Sequence, residues 1–433
     1  MSILEIAKKI LPEGAICDHC MGRQFANLST GLTNDERGRA VKLVLAMEAD
    51  RLSKDEDDKS LLERLAPSSR NARYSLKDFT KNDEQCWVCL GIFEKLEEWA
   101  DRAVKVVEGI EYSTFVVGTK ISGLLSENEE ILWAESGTTY GEPIKSELNR
   151  EVGKLIAAKT GKEVDIKNPD VVFTLDIAKE VVYAQIRSLY IAGRYRKFVR
   201  GIPQTRWPCR NCKGRGCEKC NQTGQQYPES VDELIRGPVI RATGGNDTRF
   251  HGSGREDIDA LMLGTGRPFV VEALSPKIRT IDVAAIQEEI NVESSGKIEV
   301  EGLKLVSKDL IHKLKSSKAD KVYKLKVTFS DPVTENTLRL AAEKLTGSQI
   351  EQRTPVRVSH RRADLVRKRK VHSVELLEYN AEYSIFKVDC QGGLYVKELV
   401  SGDENRTSPS LTGIIGAQAR VEELDVIDVK IDI

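Results

Sequence analysis

Eight of the nine cysteines fall into four Cys-x2-Cys pairs, Cys17/Cys20, Cys86/Cys89, Cys209/Cys212 and Cys217/Cys220, while Cys390 stands alone. Two such turns brought together can present four thiolates tetrahedrally to zinc, a use of cysteine that a reducing compartment favours over disulfides. We read the first two pairs as one structural zinc site. The last two are separated by four residues, in Cys209-Arg-Asn-Cys212-Lys-Gly-Arg-Gly-Cys217-Glu-Lys-Cys220, where glycines allow tight turns; here a second zinc site and a redox pair both stand. A second concentration of chemistry runs from Phe250 to Phe269. It sets Glu256, Asp257 and Asp259 beside Arg255 and Arg267, with glycines at 252, 254, 264 and 266. In an extended stretch Asp257 and Asp259 share a face and Glu256 lies opposite. One of them could be a reactive carboxylate, although composition alone favours a charged turn between two strands.

Around these groups the charge is unevenly spread. The chain of 433 residues carries 66 basic and 67 acidic side chains, a net charge of -1. Yet Arg187 to Arg215 holds nine basic residues and no acid, and Arg353 to Lys370 holds eight opposed only by Asp364. In the first stretch Tyr190, Tyr195, Phe198 and Trp207 interleave with arginines, a composition suited to phosphate contacts and stacking on unpaired bases. A solvated strand edge with core aromatics is the competing account. With 40% hydrophobic and 31% charged residues the chain is neither a disordered polyelectrolyte nor a membrane protein. The apolar run at its start is too short for a secretory signal, and no segment approaches the roughly 18 apolar residues of a spanning helix. A cytosolic protein of about three domains is expected.

The elements that must position these groups read in three blocks. First comes a short apolar helix at Ile3 to Ala7, then a helix capped by Thr33 with Glu36, and an amphipathic helix from Leu90 to Val107. The second block turns α/β: a β-prone run at Thr114 to Val117, a helix at Ser146 to Thr160, a strand at Val171 to Ile177, and another at Val181 to Ile191. The third starts near Tyr227. Within it Pro355 and the alternating Val356 and Val358 suggest a strand leading to an exposed basic loop.

Three resemblances sharpen this reading. The last cysteine cluster resembles the Cys-x2-Cys-x-Gly-x-Gly modules of J-domain co-chaperones. Leu148-Asn-Arg-Glu-Val-Gly153, Asn168-Pro-Asp170 and the segment Arg187 to Trp207 resemble the THUMP RNA-binding domain, which implies docking on the acceptor end of tRNA. Gly254-Arg-Glu-Asp-Ile-Asp259 with Leu263-Gly-Thr-Gly-Arg-Pro-Phe269 is similar to the active-site segment of archaeal and eukaryotic tRNA pseudouridine synthases acting on T-loop uridines 54 and 55. Arg353-Thr-Pro-Val-Arg-Val-Ser-His-Arg-Arg-Ala-Asp364, Gly393-Leu-Tyr-Val-Lys-Glu398, Ser401-Gly-Asp403 and Arg406-Thr-Ser-Pro-Ser410 extend it.

That resemblance implies Asp257 as the catalytic nucleophile with Arg255 beside it, Asp259 as the weaker candidate, and Tyr323 at the active-site tyrosine position. It implies substrate contacts from Tyr323, Tyr395, Val396, Lys397 and Leu424. Arg255 or Arg267 is expected to keep Asp257 ionised. RNA contacts are expected from Arg194, Arg196, Lys197, Arg200 and Arg206, and from Arg357, Arg361 and Arg362. Ala260-Leu261 departs from the Val-Arg more usual after this motif, which leaves a secondary contact open.

The expected architecture is α/β. A pseudouridine synthase catalytic fold, with a mixed, largely antiparallel sheet flanked by helices and loops, occupies 226–433. An accessory tRNA-binding domain occupies 1–225, zinc-stapled and helical over about 1–105 and THUMP-like over about 106–225. No cofactor is expected for catalysis, structural zinc is, and the partner is tRNA bound by a monomer. Two other functions compete. Val239-Ile-Arg-Ala-Thr-Gly-Gly-Asn-Asp-Thr248 loosely resembles the ATP pyrophosphatase loop of THUMP-containing tRNA thiolases, whereas a non-catalytic module would only present tRNA to another enzyme.

Overall fold

Thr33 and Glu36 form the capping box their spacing predicts: Thr33 Oγ1 accepts from the Glu36 amide, and a Glu36 carboxylate oxygen accepts from the Thr33 amide at 2.8 Å. They open the helix Asn34–Asp55. Against it lies the short helix Asp18–Gly22, so close that a Cβ at Gly38 would stand 1.9 Å from the Asp18 carbonyl oxygen. Glycine is therefore required there for contact, and the contact brings the Cys17/Cys20 turn onto the long helix. The computed structural model describes residues 1–76, 84–380 and 382–431, with the side chain of Arg361 also outside that set. No helix among the described residues is long and apolar enough to cross a membrane.

The chain divides into two units, Met1–Arg187 and Ser188–Ile433. In the first, helices Ile3–Ile10, Asn34–Asp55 and Leu96–Val106 share one apolar core with a four-stranded sheet, through Leu45, Trp99, Phe115, Leu148 and Phe173. The sheet runs in the order Glu163–Val164, Thr114–Lys120, Val171–Asp176, Val181–Ile186. Its first two pairings are parallel and its last antiparallel.

The second unit is built on a ten-stranded mixed sheet flanked by helices. Its described strand pairs are antiparallel except one: Ala419–Lys430 meets Leu261–Leu274 in parallel, Asp425 opposite Leu261 and Val426 opposite Met262. The strand Leu261–Leu274 is buried continuously from Gly266 to Val271, and at the seam itself Met262 and Val426 are buried in the core. The loop carrying Asp257 enters the sheet at the same seam.

The expected boundary at 225/226 differs from the division at 187/188. Two strands replace the single one expected over Val181 to Ile191. Val181–Ile186 closes the first sheet, while Leu189–Lys197 pairs with Leu261–Leu274 and Ile298–Val306 deep in the second. A turn of two residues separates them, too brief a break to show in hydrophobic periodicity. The strand expected at Pro355 is likewise displaced: Gln349–Arg353 ends before the proline, and Val356–Arg361 forms a 3-10 turn.

At the seam Gly264 has φ +59°, and a Cβ on it would lie 2.0 Å from the Ile427 carbonyl oxygen. Both facts demand glycine. Gly264→Ala is expected to destabilise the second unit by about 3 kcal/mol or more, read as a lower denaturant midpoint at unchanged slope.

Candidate active site

The loop between strands Asp247–Gly252 and Leu261–Leu274 turns successive side chains in opposite directions. Arg255 points outward and stacks over Trp207, 4.5 Å from ring centroid to guanidinium carbon. Glu256 turns inward, where its oxygens accept from the Tyr195 hydroxyl at 2.8 Å and one lies 2.8 Å from Arg267 Nε. Both ions are about 1% exposed. A buried pair offsets its desolvation only when its other atoms are satisfied. Here Gln204 donates to the Tyr195 hydroxyl at 2.9 Å and Arg267 NH1 donates to the Ser253 carbonyl at 2.7 Å, while Arg267 Nε meets Glu256 as an ion pair without a hydrogen bond of its own. Glu256 thus anchors the loop, and Asp257 and Asp259 are left facing a cavity of about 1040 Å³.

Into that cavity the sheet and a short helix deliver the other groups. Tyr323 stands on Asp320–Phe329, between Val388 and Val426 of the neighbouring strands. Tyr395 precedes the helix Val396–Ser401 and is fixed by Gln352, whose side-chain oxygen accepts from its amide at 2.8 Å and whose side-chain nitrogen donates to its carbonyl at 3.0 Å. Val396 and Leu424 are buried apolar walls, and Lys397 Nζ lies 3.3 Å from Asp257 Oδ2 and 3.0 Å from Asp259 Oδ2. The second cation at Asp257 is Arg357, at 3.6 Å. Arg267, also expected in that role, pairs with Glu256, and Arg255 lies over Trp207.

Electrostatics follow from this burial. Burial pushes the Tyr323 hydroxyl well above its usual range, with the neighbouring Cys390 acting in the same direction, so Tyr323 stays a neutral ring beside Asp257. Partial burial would raise Asp259, but the Lys397 ammonium outweighs it and holds the carboxyl low. Lys321, two residues before Tyr323 on the same strand, is lowered to about 8 by burial and then by Arg267. The sequence reading left Lys321 aside, although the two-residue spacing puts it on the face of Tyr323. Gln352 lies in no motif, and Glu398 closes the Gly393–Glu398 motif without a role read from it.

The basic stretch that starts on the strand Leu189–Lys197 makes many contacts within the protein. Lys197 is fully buried and donates to the carbonyls of Ile202 and Ile258 at 3.0 and 3.2 Å. Arg194 donates to the carbonyls of Gly266 and Ile431, and Arg196 pairs with Glu299 and Glu301. Arg200 pairs with Asp425 at 2.7 Å, and Arg206 with Asp232 at 3.1 Å. These five side chains join strands and loops, because acids distant in sequence are their neighbours in space. Tyr195, expected to be available to bases, is core. In the later stretch Arg357 lies within the cavity on Glu398 and Asp257, Arg362 is exposed at its rim, and Arg361 falls outside the described side chains.

The cysteines converge as their spacing predicts. The sulfurs of Cys17, Cys20, Cys86 and Cys89 lie within 4.8 Å of one another, as do those of Cys209, Cys212, Cys217 and Cys220. Measured separations of 3.7 Å for Cys17 to Cys89 and 3.6 to 3.9 Å in the second cluster match the edge of about 3.8 Å that a tetrahedron with 2.3 Å zinc–sulfur bonds requires. Fully buried Arg23 donates to Cys20 Sγ at 3.1 Å, a cation suited to a thiolate cluster. The glycine pair expected as a phosphate loop has the wrong order of elements: the helix Val231–Thr243 ends at Gly244 and a strand follows, so no helix N-terminus faces Gly244-Gly245. That overturns the pyrophosphatase reading.

Comparison with known proteins agrees with this geometry. Residues 190–430 match the family described as Pus10, C-terminal, and 99–176 the Pus10 THUMP domain, archaeal. The tRNA pseudouridine synthase Pus10 of Methanothrix thermoacetophila is 55% identical over 429 residues, 99% of this chain and 94% of the relative. Those of Halorubrum lacusprofundi and Pyrococcus furiosus are 42% and 38% identical, with 99% and 100% of this chain and 97% and 99% of theirs covered. A chain in the crystal structure of a Cbf5–Nop10–Gar1 complex matches 45% of this chain and 44% of its own, at 18% identity and a TM-score of 0.28.

Lys321 gives a pH test of the cavity. Its folded pKa of about 8 lies below the unfolded value near 10.5, so below pH 8 folding bears the full cost of a buried ammonium, and that cost fades as pH rises toward 10.5. Lys321→Met should therefore gain roughly 2 to 3 kcal/mol at pH 7 and little at pH 10.5, by denaturant unfolding at both.

Proposed function

The chain belongs to the Pus10 family of tRNA pseudouridine synthases, and from that premise we propose that it isomerises uridines 54 and 55 of the tRNA T-loop with Asp257 as the reacting carboxylate. The observation that carries this reading is the setting of Asp257: an ionisable oxygen 3.3 Å from Lys397, in a cavity walled by Tyr323, Val396 and Leu424. The reaction breaks C1'–N1, turns the uracil and joins C5 to C1'; the C5 proton leaves and N1 gains one, so composition is unchanged. A carboxylate that stays charged is the chemical requirement, and no redox partner or nucleotide is consumed.

A T-loop uridine must be flipped from its stack to reach this depth. Val396 and Leu424 supply apolar faces for the detached uracil, and the neutral Tyr323 ring can stack on it. Tyr395 and Lys397 complete the nucleoside site, and Arg255 on Trp207 borders it. Arg362, with Arg367, Arg369 and Lys318 around the cavity mouth, offers cations for the phosphates of the distorted loop. The first unit, whose residues 99–176 match the THUMP family, would hold the acceptor end. On this view the accessory domain is Met1–Arg187 and the catalytic domain Ser188–Ile433.

Zinc is the metal we assign to both cysteine clusters, on the sulfur spacing and, for the first cluster, on Arg23. It would be structural: all four positions in each cluster are cysteine, which leaves none open for water or substrate.

Two outcomes are expected. Purified protein should release tritium from uracil C5 of an unmodified tRNA transcript without added nucleotide, and Asp257→Asn should bind that tRNA yet release none. Release by the variant, or dependence on ATP, would end the assignment, and sequencing the product reports positions 54 and 55. Elemental analysis should find two zinc ions per chain, falling to one in Cys86→Ser/Cys89→Ser and separately in Cys217→Ser/Cys220→Ser.

A further inference from the structure

Each of the two cations at Asp257 is already held by a second carboxylate. Lys397 Nζ reaches Asp257 Oδ2 at 3.3 Å and Asp259 Oδ2 at 3.0 Å. Arg357 NH1 reaches the same Asp257 oxygen at 3.6 Å, while its Nε and NH2 lie 2.6 and 3.4 Å from the two oxygens of Glu398. The charges therefore alternate along a line: Asp259, Lys397, Asp257, Arg357, Glu398. Three carboxylates against two cations leave one net negative charge. Resting on the reading of Asp257 as the reacting group, we propose that Arg357 is a catalytic cation of Asp257, and that Glu398 is the positioning residue that aims it.

Three features separate this role from an RNA contact. Each of the three guanidinium nitrogens of Arg357 lies within 3.6 Å of a carboxylate oxygen, so a phosphate would have to approach beside two anions of its own sign. The side chain is further fixed over the Tyr395 ring, 5.8 Å from its centroid, and its partner Glu398 is only 5% exposed. The turn that carries Arg357 is fastened at its base, where Arg353 and Arg406 both bind Asp364, at 2.6 and 3.2 Å, and the Val356 amide donates to Asp403 at 3.1 Å.

The arrangement suits a carboxylate whose charge is used and returned. As an Asp257 oxygen bonds to C1' and the C1'–N1 bond breaks, the electron pair and the negative charge pass to the detached uracil; the four remaining side-chain charges sum to zero, so neither cation is orphaned in a cavity closed by the base. When the bond to Asp257 breaks, the carboxylate returns to a preformed pair of cations, without reorganisation. Glu398 supplies Arg357 with the standing counter-charge that Asp259 supplies to Lys397.

The test measures single-turnover pseudouridine formation by the full-length protein on an unmodified tRNA transcript, alongside tRNA affinity across a salt series. Arg357→Met should slow formation on the order of 100-fold. Its dissociation constant and the slope of log affinity against log salt should stay at wild-type values. Arg357→Lys should recover part of the rate. Glu398→Gln keeps the guanidinium charge but loses its aim, and should slow the reaction with tRNA binding intact; retained binding shows that these variants are folded. An RNA contact gives the opposite pattern, with the slope shallower by about 0.7 to 0.9 per phosphate and the rate at saturation preserved. That pattern, or wild-type rates in Arg357→Met or Glu398→Gln, overturns the proposal. Failure of the wild-type protein to form pseudouridine would instead remove the reading of Asp257 on which it rests.

Discussion

A carboxylate that must remain charged in a cavity able to take in a nucleobase needs cations, and those cations need partners of their own. The Asp257 side chain is 38% exposed in the open cavity, and once a base covers it an ion without compensation would cost several kcal/mol. The surroundings of Asp257 answer this constraint with Lys397 on Asp259 and Arg357 on Glu398, so the carboxylate is flanked by ammonium and guanidinium groups that are themselves held. Much of the second unit can be understood as the scaffold for that arrangement. The helix Val396–Ser401 carries Lys397 and Glu398 together, and Gln352 fixes its start through both backbone groups of Tyr395.

The loop bearing Asp257 is held from beneath by a second buried pair. Glu256 and Arg267 are almost wholly out of water, and Tyr195 and Gln204 close the network. Arg255 lies outward on Trp207, and Trp207 is joined to the second cysteine cluster through the chain: its carbonyl accepts from Gln226, and the Cys209 amide donates to Gly224. A metal in that knuckle would stiffen the cavity wall. One loop of three charged residues thus serves three surroundings: Trp207 for Arg255, the buried Arg267 for Glu256 and the cavity for Asp257. The parallel seam at Leu261 and Asp425 gives the loop its place, where two antiparallel halves of the sheet meet.

Much of this was legible in the sequence. The cysteine pairs, the capped helix at Thr33, the alternation that separates Glu256 from Asp257, and the motifs around Asp257, Tyr323 and Tyr395 all depend on residues close along the chain. Such patterns survive without a fold because spacing alone decides which side chains share a turn or a face. The internal partners of the basic stretch from Arg187 to Arg215 were hidden for the same reason. Its lack of acids is a local property, whereas Arg200 finds Asp425, Arg196 finds Glu299 and Glu301, and Lys197 finds two buried carbonyls. Charge segregated along the sequence became charge paired in space.

By itself, then, the sequence determined the charged segment around Asp257, the grouping of cysteines and most secondary structure, since these rest on short-range spacing and on the chemistry of side-chain types. Only the tertiary structure decided that Leu189–Lys197 belongs to the second sheet, that Arg357 joins Lys397 at Asp257, and that five of the basic residues have partners within the protein. The reason is that strand pairing and ion pairing are settled between residues up to about two hundred positions apart, where burial makes an unpaired charge or amide costly and chain order carries no record of the partner.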